Sequence, residues 1–193
     1  PDSHVVQMVR HSCAVAKVVG TAYLLLDRYF LSVPALKELK AHNDADDTPR
    51  VDIITKAKSN CRAYRKPRAC RSPKRGRPRL KGATVPVASL FTDKASCFTR
   101  ASVYMYGEKQ EVTYYCTDLL WGQKLYQELR FVLVQYNGSR SILVSTDLSL
   151  SPKRIIELYA YRFSIEELFR EFKQQIGGFA YHFWSKAVPK LNR

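Results

Sequence analysis

Residues 158–174, LYAYRFSIEELFREFKQ, hold four side chains at the spacing Y-x2-R-x3-E-x6-K: Tyr159, Arg162, Glu166 and Lys173. At 100° per residue these four fall within roughly 60° of one helical face. Ile165, Leu168, Phe169, Phe172 and Ile176 make a separate apolar stripe about 95° round the same helix. One helix is therefore expected to bury one face and to present a carboxylate, two cations and a phenol on an adjoining face. A core needs only the first face. A metal-dependent phosphoryl-transfer site needs the second. Charges on a helix are more often a solvated face with local pairing, so the reading depends on the rest of the chain.

Working outward, the chain has 193 residues with 32 Lys and Arg against 17 Asp and Glu, a net charge of +15. That length suits one large domain or a domain with an insertion. Twelve of the cations lie between Asp52 and Asp93 with no acid among them, and the remainder of the chain carries only +3. Concentrated basicity of this kind fits an element that binds a polyanion. No apolar run is long enough to span a bilayer. The start, PDSHVVQMVRHS, lacks the basic, apolar and small-residue order of a signal peptide. It also lacks an initiator Met, so a fragment or a processed chain is expected. The five cysteines (Cys13, Cys61, Cys70, Cys97, Cys116) include no C-x-x-C pair, and His4, His11, His42 and His182 are scattered. Neither a zinc site nor a disulfide framework is expected; free, mostly buried thiols in a reducing cytosolic compartment are.

Residues 4–19 read as a helix, with Val5, Val9, Cys13 and Ala16 at helical spacing and Gly20 as the stop. Residues 22–26 read as a buried strand ending at Asp27, residues 34–41 as a second helix, and residues 51–55 as another strand. This order predicts an α/β layer with helices packed on a sheet. Residues 59–83 contain Pro67, Pro73, Pro78, Gly76 and Gly82, so they read as an extended, mobile basic loop. Strands over 99–106 and 111–117 flank Gly107-Glu108, and strands over 130–136 and 141–145 flank Asn137-Gly138, both hairpin signals. Ser151 and Pro152 cap and open the last helix, which ends near Gln175 before Gly177-Gly178.

Asp27 closes an apolar strand, and functional groups of α/β sheets gather at carboxyl ends of strands; the plainer alternative is a cap for the next helix. Asp147, in STDLSL, reads as a turn acid. Asp44, Asp46 and Asp47 read as a solvated loop. Asp27 and Glu166 could together hold divalent ions, one activating the attacking oxygen and one stabilising the leaving oxygen. Two carboxylates are few for two ions, so a third is expected from elsewhere. No Ser/His/Asp or Cys/His set competes with this reading.

The string LLLDRYF, the β-rich stretch and the Y-R-E-K spacing together resemble the DDE transposases of bacterial insertion sequences, specifically the group with a Tyr-Arg-Glu-Lys signature. All four signature positions match, at Tyr159, Arg162, Glu166 and Lys173. The trailing IGGFAYHFW is similar to one branch of that group, and the resemblance spans essentially the whole chain. It implies an α/β fold with a ribonuclease-H-like core and a β-rich insertion before the final catalytic helix. Residues 1–58 would be partial core, 59–83 the basic loop, 84–146 the insertion and connecting strands, and 147–193 the catalytic helix returning to the core. It implies that Asp27 and Glu166 are catalytic and bind metal, as the second Asp and the Glu of the triad. It also implies two Mg²⁺ ions (Mn²⁺ substituting) and DNA cleavage and strand transfer at transposon ends. Arg162 and Lys173 would hold phosphates and Tyr159 the DNA backbone. A homodimer in a synaptic complex and a bacterial, nucleoid-associated location follow from the same resemblance. No acid other than Asp2 precedes Asp27, so the first Asp of the triad is expected to be missing and this polypeptide alone to be inactive.

Within the basic loop, Lys74, Arg75, Arg77 and Arg79 surround an Arg-Gly-Arg-Pro core that resembles an AT-hook, which enters an A·T minor groove. Plain phosphate contact is the alternative. Two other readings compete for the whole chain. A non-catalytic basic DNA- or RNA-binding module explains the charge but leaves the Y-R-E-K face without a purpose. A resolvase or RNase of ribonuclease-H type generally lacks the β insertion.

Overall fold

A computed structural model of the chain describes residues 3–68 and 78–175, with several side chains near the end of the last helix left out, Glu166 and Lys173 among them. The first helix, α1 (His4–Val19), buries Val5, Val9, Cys13 and Ala16 along one stripe. It stops at Gly20, whose φ of +93° suits a residue without Cβ and whose N–H donates to the Ala16 carbonyl at 2.8 Å. Strand β1 (Ala22–Leu26) follows, then a 3-10 turn at Arg28–Phe30 and helix α2 (Val33–Asn43). Strand β2 (Val51–Lys56) returns parallel to β1, with Ala22 opposite Val51 and Leu26 opposite Thr55. A helix between two parallel neighbours is the connection such a pair requires.

Two short strands, β3 (Arg62–Tyr64) and β4 (Thr84–Pro86), pair antiparallel at the base of the basic segment. The sequence reading missed them because each is only three residues long. A short helix, α3 (Leu90–Asp93), leads to β5 (Thr99–Met105) and the 14-residue β6 (Glu108–Trp121). The turn between them is Tyr106-Gly107, at φ +55° and +85°, one residue earlier than expected, because Glu108 already pairs with Met105. Strands β7 (Gln127–Tyr136) and β8 (Ser139–Ser145) meet at Asn137-Gly138, at φ +46° and +73°, the left-handed pair of a tight hairpin turn. Helix α4 (Pro152–Gln175) closes the described part. Its start is fixed by Ser151, whose carbonyl accepts from Ile155 N–H at 3.0 Å.

The eight strands among the described residues belong to one sheet, ordered β1-β2-β8-β7-β6-β3-β4, with β5 also on β6. The outer edge of β6 is shared end to end, β5 taking Glu108 to Tyr114 and β3 taking Leu120. Period-two alternation sorts the sheet into two faces. Ile53, Phe131, Leu133, Ile142 and Val144 join α1 and α2 in one core. Ile54, Val132, Val134 and Leu143 join Ile155, Ile156 and Ala160 of α4 in the other. The molecule is thus a three-layer α/β/α arrangement, and Phe131 to Val134 are buried whichever way they point. Each such side chain contributes about 1.5–3 kcal/mol of burial.

Two sequence expectations fail on packing. Strand β1 was expected to be buried, yet only Leu26 of AYLLL is, because β1 lies at the end of the sheet order. Ile165 and Leu168 were placed in the apolar stripe of the last helix and are exposed, at 52% and 66%. Among the described side chains of α4, the buried ones (Ile155, Ile156 and Ala160) sit in its first turns, where it packs on β1, β2, β5, β7 and β8. A 24-residue helix is about 36 Å long, and Ile165 and Leu168 lie beyond those first turns. The side chains of Phe169 and Phe172, and Ile176 altogether, lie outside the described residues.

Candidate active site

The parallel register of β1 and β2 decides what surrounds Asp27. Leu26 lies opposite Thr55, so Asp27 and Lys56 emerge side by side from the carboxyl ends of the two strands. Leu26 is buried, and Thr55 Oγ1 donates to the Asp27 carbonyl at 2.8 Å, so the backbone is held from the neighbouring strand. Asp27 also caps the 3-10 turn, its Oδ1 accepting from Arg28 N–H at 2.7 Å. The capping role weighed for Asp27 is thus filled at a strand-tip position. The side chain is exposed and enters no ion pair among the described residues.

Helix α4 brings Tyr159 and Arg162 to the same place. Asp27, Arg28, Lys56, Ser139, Tyr159 and Arg162 line one open cleft of about 490 Å³, floored by apolar residues of β5, β7, β8 and α4. The Arg162 guanidinium lies 5.6 Å from the centre of the Tyr159 ring, a cation–π arrangement. Three cations and one carboxylate among the described lining residues make a hollow that attracts anions while offering one hard oxygen donor. Glu166 lies one helical turn beyond Arg162 on α4, and Lys173 two turns further; their side chains are outside the described residues. Arg28 and Lys56 escaped the sequence reading as site residues. Arg28 was visible beside Asp27 in LLLDRYF, whereas Lys56 needs the strand pairing to be known.

Asp147 takes the turn role expected for it. Its Oδ1 accepts from the Ser149 N–H at 2.8 Å and hydroxyl at 2.6 Å, and its Oδ2 accepts from the Tyr23 hydroxyl at 2.6 Å. Burial pushes the Asp147 carboxyl up, but the Ser149 and Tyr23 hydrogen bonds outweigh it and hold the group below its ordinary value. Tyr23, donating to that carboxylate, is pushed up to about 12. Nearby, Asp52 accepts from Arg50 at 2.7 Å and from the Thr146 hydroxyl at 2.7 Å. This polar cluster sits at the amino end of β2, the far end of the sheet from Asp27.

Of the four basic-loop residues, Lys74, Arg75 and Arg77 lie outside the described residues, and Arg79 is exposed. The thiols are free: Cys13 is buried, Cys61 and Cys116 half-buried and Cys97 exposed, while Cys70 is outside the description. Burial pushes the Cys116 thiol up to about 11. Among the described residues no group of three His, Cys, Asp or Glu is placed to hold a metal ion. No helix among them is long and apolar enough to cross a membrane.

In an α/β fold, an acid at a strand tip thus shares one cleft with Arg28, Lys56 and, from helix α4, Arg162. The chain belongs to the transposase DDE domain family, whose model matches residues 1–184. That domain carries out transposition by DNA cleavage and transfer, and its family generally uses divalent metal ions. Comparisons with curated proteins and with solved structures give no match.

Proposed function

We propose that the cleft where β1, β2 and α4 meet is the phosphoryl-transfer site of a transposase of the Y-R-E-K group. The observation that carries this reading is that Asp27 and the pair Tyr159 and Arg162, far apart in sequence, line one hollow. Asp27 offers an exposed carboxylate on a fixed backbone, the kind of oxygen donor a hard divalent cation takes. Asp27 and Glu166 would hold the Mg²⁺ ions, which when bound supply charge stabilisation to the attacking and leaving oxygens. Arg162, Lys56 and Arg28 would neutralise the phosphate in the cleft, with Lys173 as the further phosphate-holding cation that the Y-R-E-K spacing implies. Tyr159, 5.6 Å from the Arg162 guanidinium, would help hold that cation in the cleft.

The described carboxylates are too few for a complete ligand set, and the reading calls for one more. The outer edge of β1, unpaired among the described residues, is where a strand bearing it would lie, whichever polypeptide supplies it. A readout independent of turnover tests the site. Mn²⁺ titration followed by electron paramagnetic resonance should show Asp27→Asn and Glu166→Gln each weakening binding about tenfold or more, as loss of a metal-site group does. Circular dichroism should show both variants folded. Unchanged Mn²⁺ affinity in both would leave a cationic DNA-holding scaffold as the better description.

A further inference from the structure

A second hollow adjoins the cleft. It has a volume of about 360 Å³, and Arg28, Lys58, Arg62, Tyr64 and Trp121 stand along it. Arg28 lines both hollows, so the two share that side chain. The groove is built on fixed elements: Arg62 and Tyr64 belong to β3, and Trp121 ends β6 and packs against the core. Gly122 closes the floor at φ +85°, where a Cβ would meet Val33 Cγ2 at 3.1 Å.

The groove is lined by cations and aromatic rings. Arg10, Lys40, Arg50, Lys66, Arg130 and Arg154 each have a carboxylate partner. Arg28, Lys58 and Arg62 are exposed, and none enters an ion pair among the described residues. No carboxylate is among the described residues that line the groove. Past Tyr64 the positive charge continues, with Lys81 Nζ 3.9 Å from the Tyr64 ring centre and 5.4 Å from that of Tyr126. Aromatic rings interleaved with unneutralised cations suit a sugar-phosphate backbone, with phosphates on the cations and apolar sugar and base edges on the rings.

We propose that this groove is a second DNA-contact surface, carrying the strand from the cleft at Arg28 along Lys58 and Arg62 towards Lys81. The proposal rests on the transposase reading but does not depend on the metal ligands. Its test is the salt dependence of binding of the full chain to a fluorescent 30-base-pair duplex, followed by anisotropy. Each phosphate contact contributes about 0.9 to the slope of log affinity against log salt, so Lys58→Ala/Arg62→Ala should reduce the slope by about 1.8 and weaken binding several-fold. Lys17→Ala/Lys37→Ala removes the same charge from the exposed surfaces of α1 and α2 and should leave the slope near wild type. Arg62→Lys should retain it as well. Equal slopes for the two double variants would overturn the groove while leaving the Mn²⁺ result intact. A Mn²⁺ failure with a reduced slope would overturn the metal site alone.

Discussion

At the scale of single residues, what matters is who fixes whom. The backbone of Asp27 is settled by its neighbours: Leu26 is buried before it and Thr55 grips its carbonyl from the next strand. Asp147 has the opposite character, with its oxygens occupied by Ser149 and Tyr23, so it stabilises the fold and has little left for a ligand. Its folded value is depressed, so its contribution is present above the ordinary carboxyl value and is lost as pH falls through the folded value. Urea midpoints should therefore fall on acidification from about pH 5 more steeply for wild type than for Asp147→Asn. Parallel curves for the two proteins would show that Asp147 contributes nothing to acid sensitivity. Tyr23 works at the other end of the scale: its contribution is complete below 10.0 and fades as pH climbs through about 12.

At the scale of elements, the stem of the basic segment is a point of tight fit. Arg65 N–H donates to Ala83 O at 2.9 Å and Gly82 N–H to Arg65 O at 2.8 Å, extending the β3–β4 pairing outward. A Cβ on Gly82 would sit 2.6 Å from the Lys66 carbonyl oxygen, a backbone atom that cannot swing aside. Gly82→Ala should cost about 1–3 kcal/mol by forced overpacking. The midpoint of chemical unfolding reads this directly, and an unshifted midpoint would mean the stem relaxes freely. Elements with their own local code were legible in the sequence. Helix α1 was readable from Val5, Val9, Cys13, Ala16 and Gly20, and the β7–β8 hairpin from Asn137-Gly138. Those that depend on partners were not. The period of α4 was read correctly from Tyr159 to Lys173, but Ile165 and Leu168 are exposed because nothing local says how far the sheet extends beneath a helix. Lys56 was missed for the same reason, since its place beside Asp27 exists only once β1 and β2 are in register.

At the scale of the whole molecule, the proposed site lies at one end of the sheet and the polar cluster of Tyr23, Asp52 and Asp147 at the other. The cleft and the basic groove open side by side around Arg28, while Tyr23, Asp52 and Asp147 are knitted together at the opposite rim. On the reading proposed, the described residues hold too few acids for turnover. Incubation of the 193-residue chain with a labelled donor DNA end and Mg²⁺ should therefore give no strand cleavage; robust cleavage would show that its own acids suffice.

Strand β7 gives alternate side chains to the two cores, Phe131 and Leu133 to one and Val132 and Val134 to the other. Neither layer can loosen without stripping cover from a strand the other also needs. The two cores are therefore coupled through a shared backbone, and melting is expected to be all-or-none, without a half-denatured intermediate that keeps one set of helices docked.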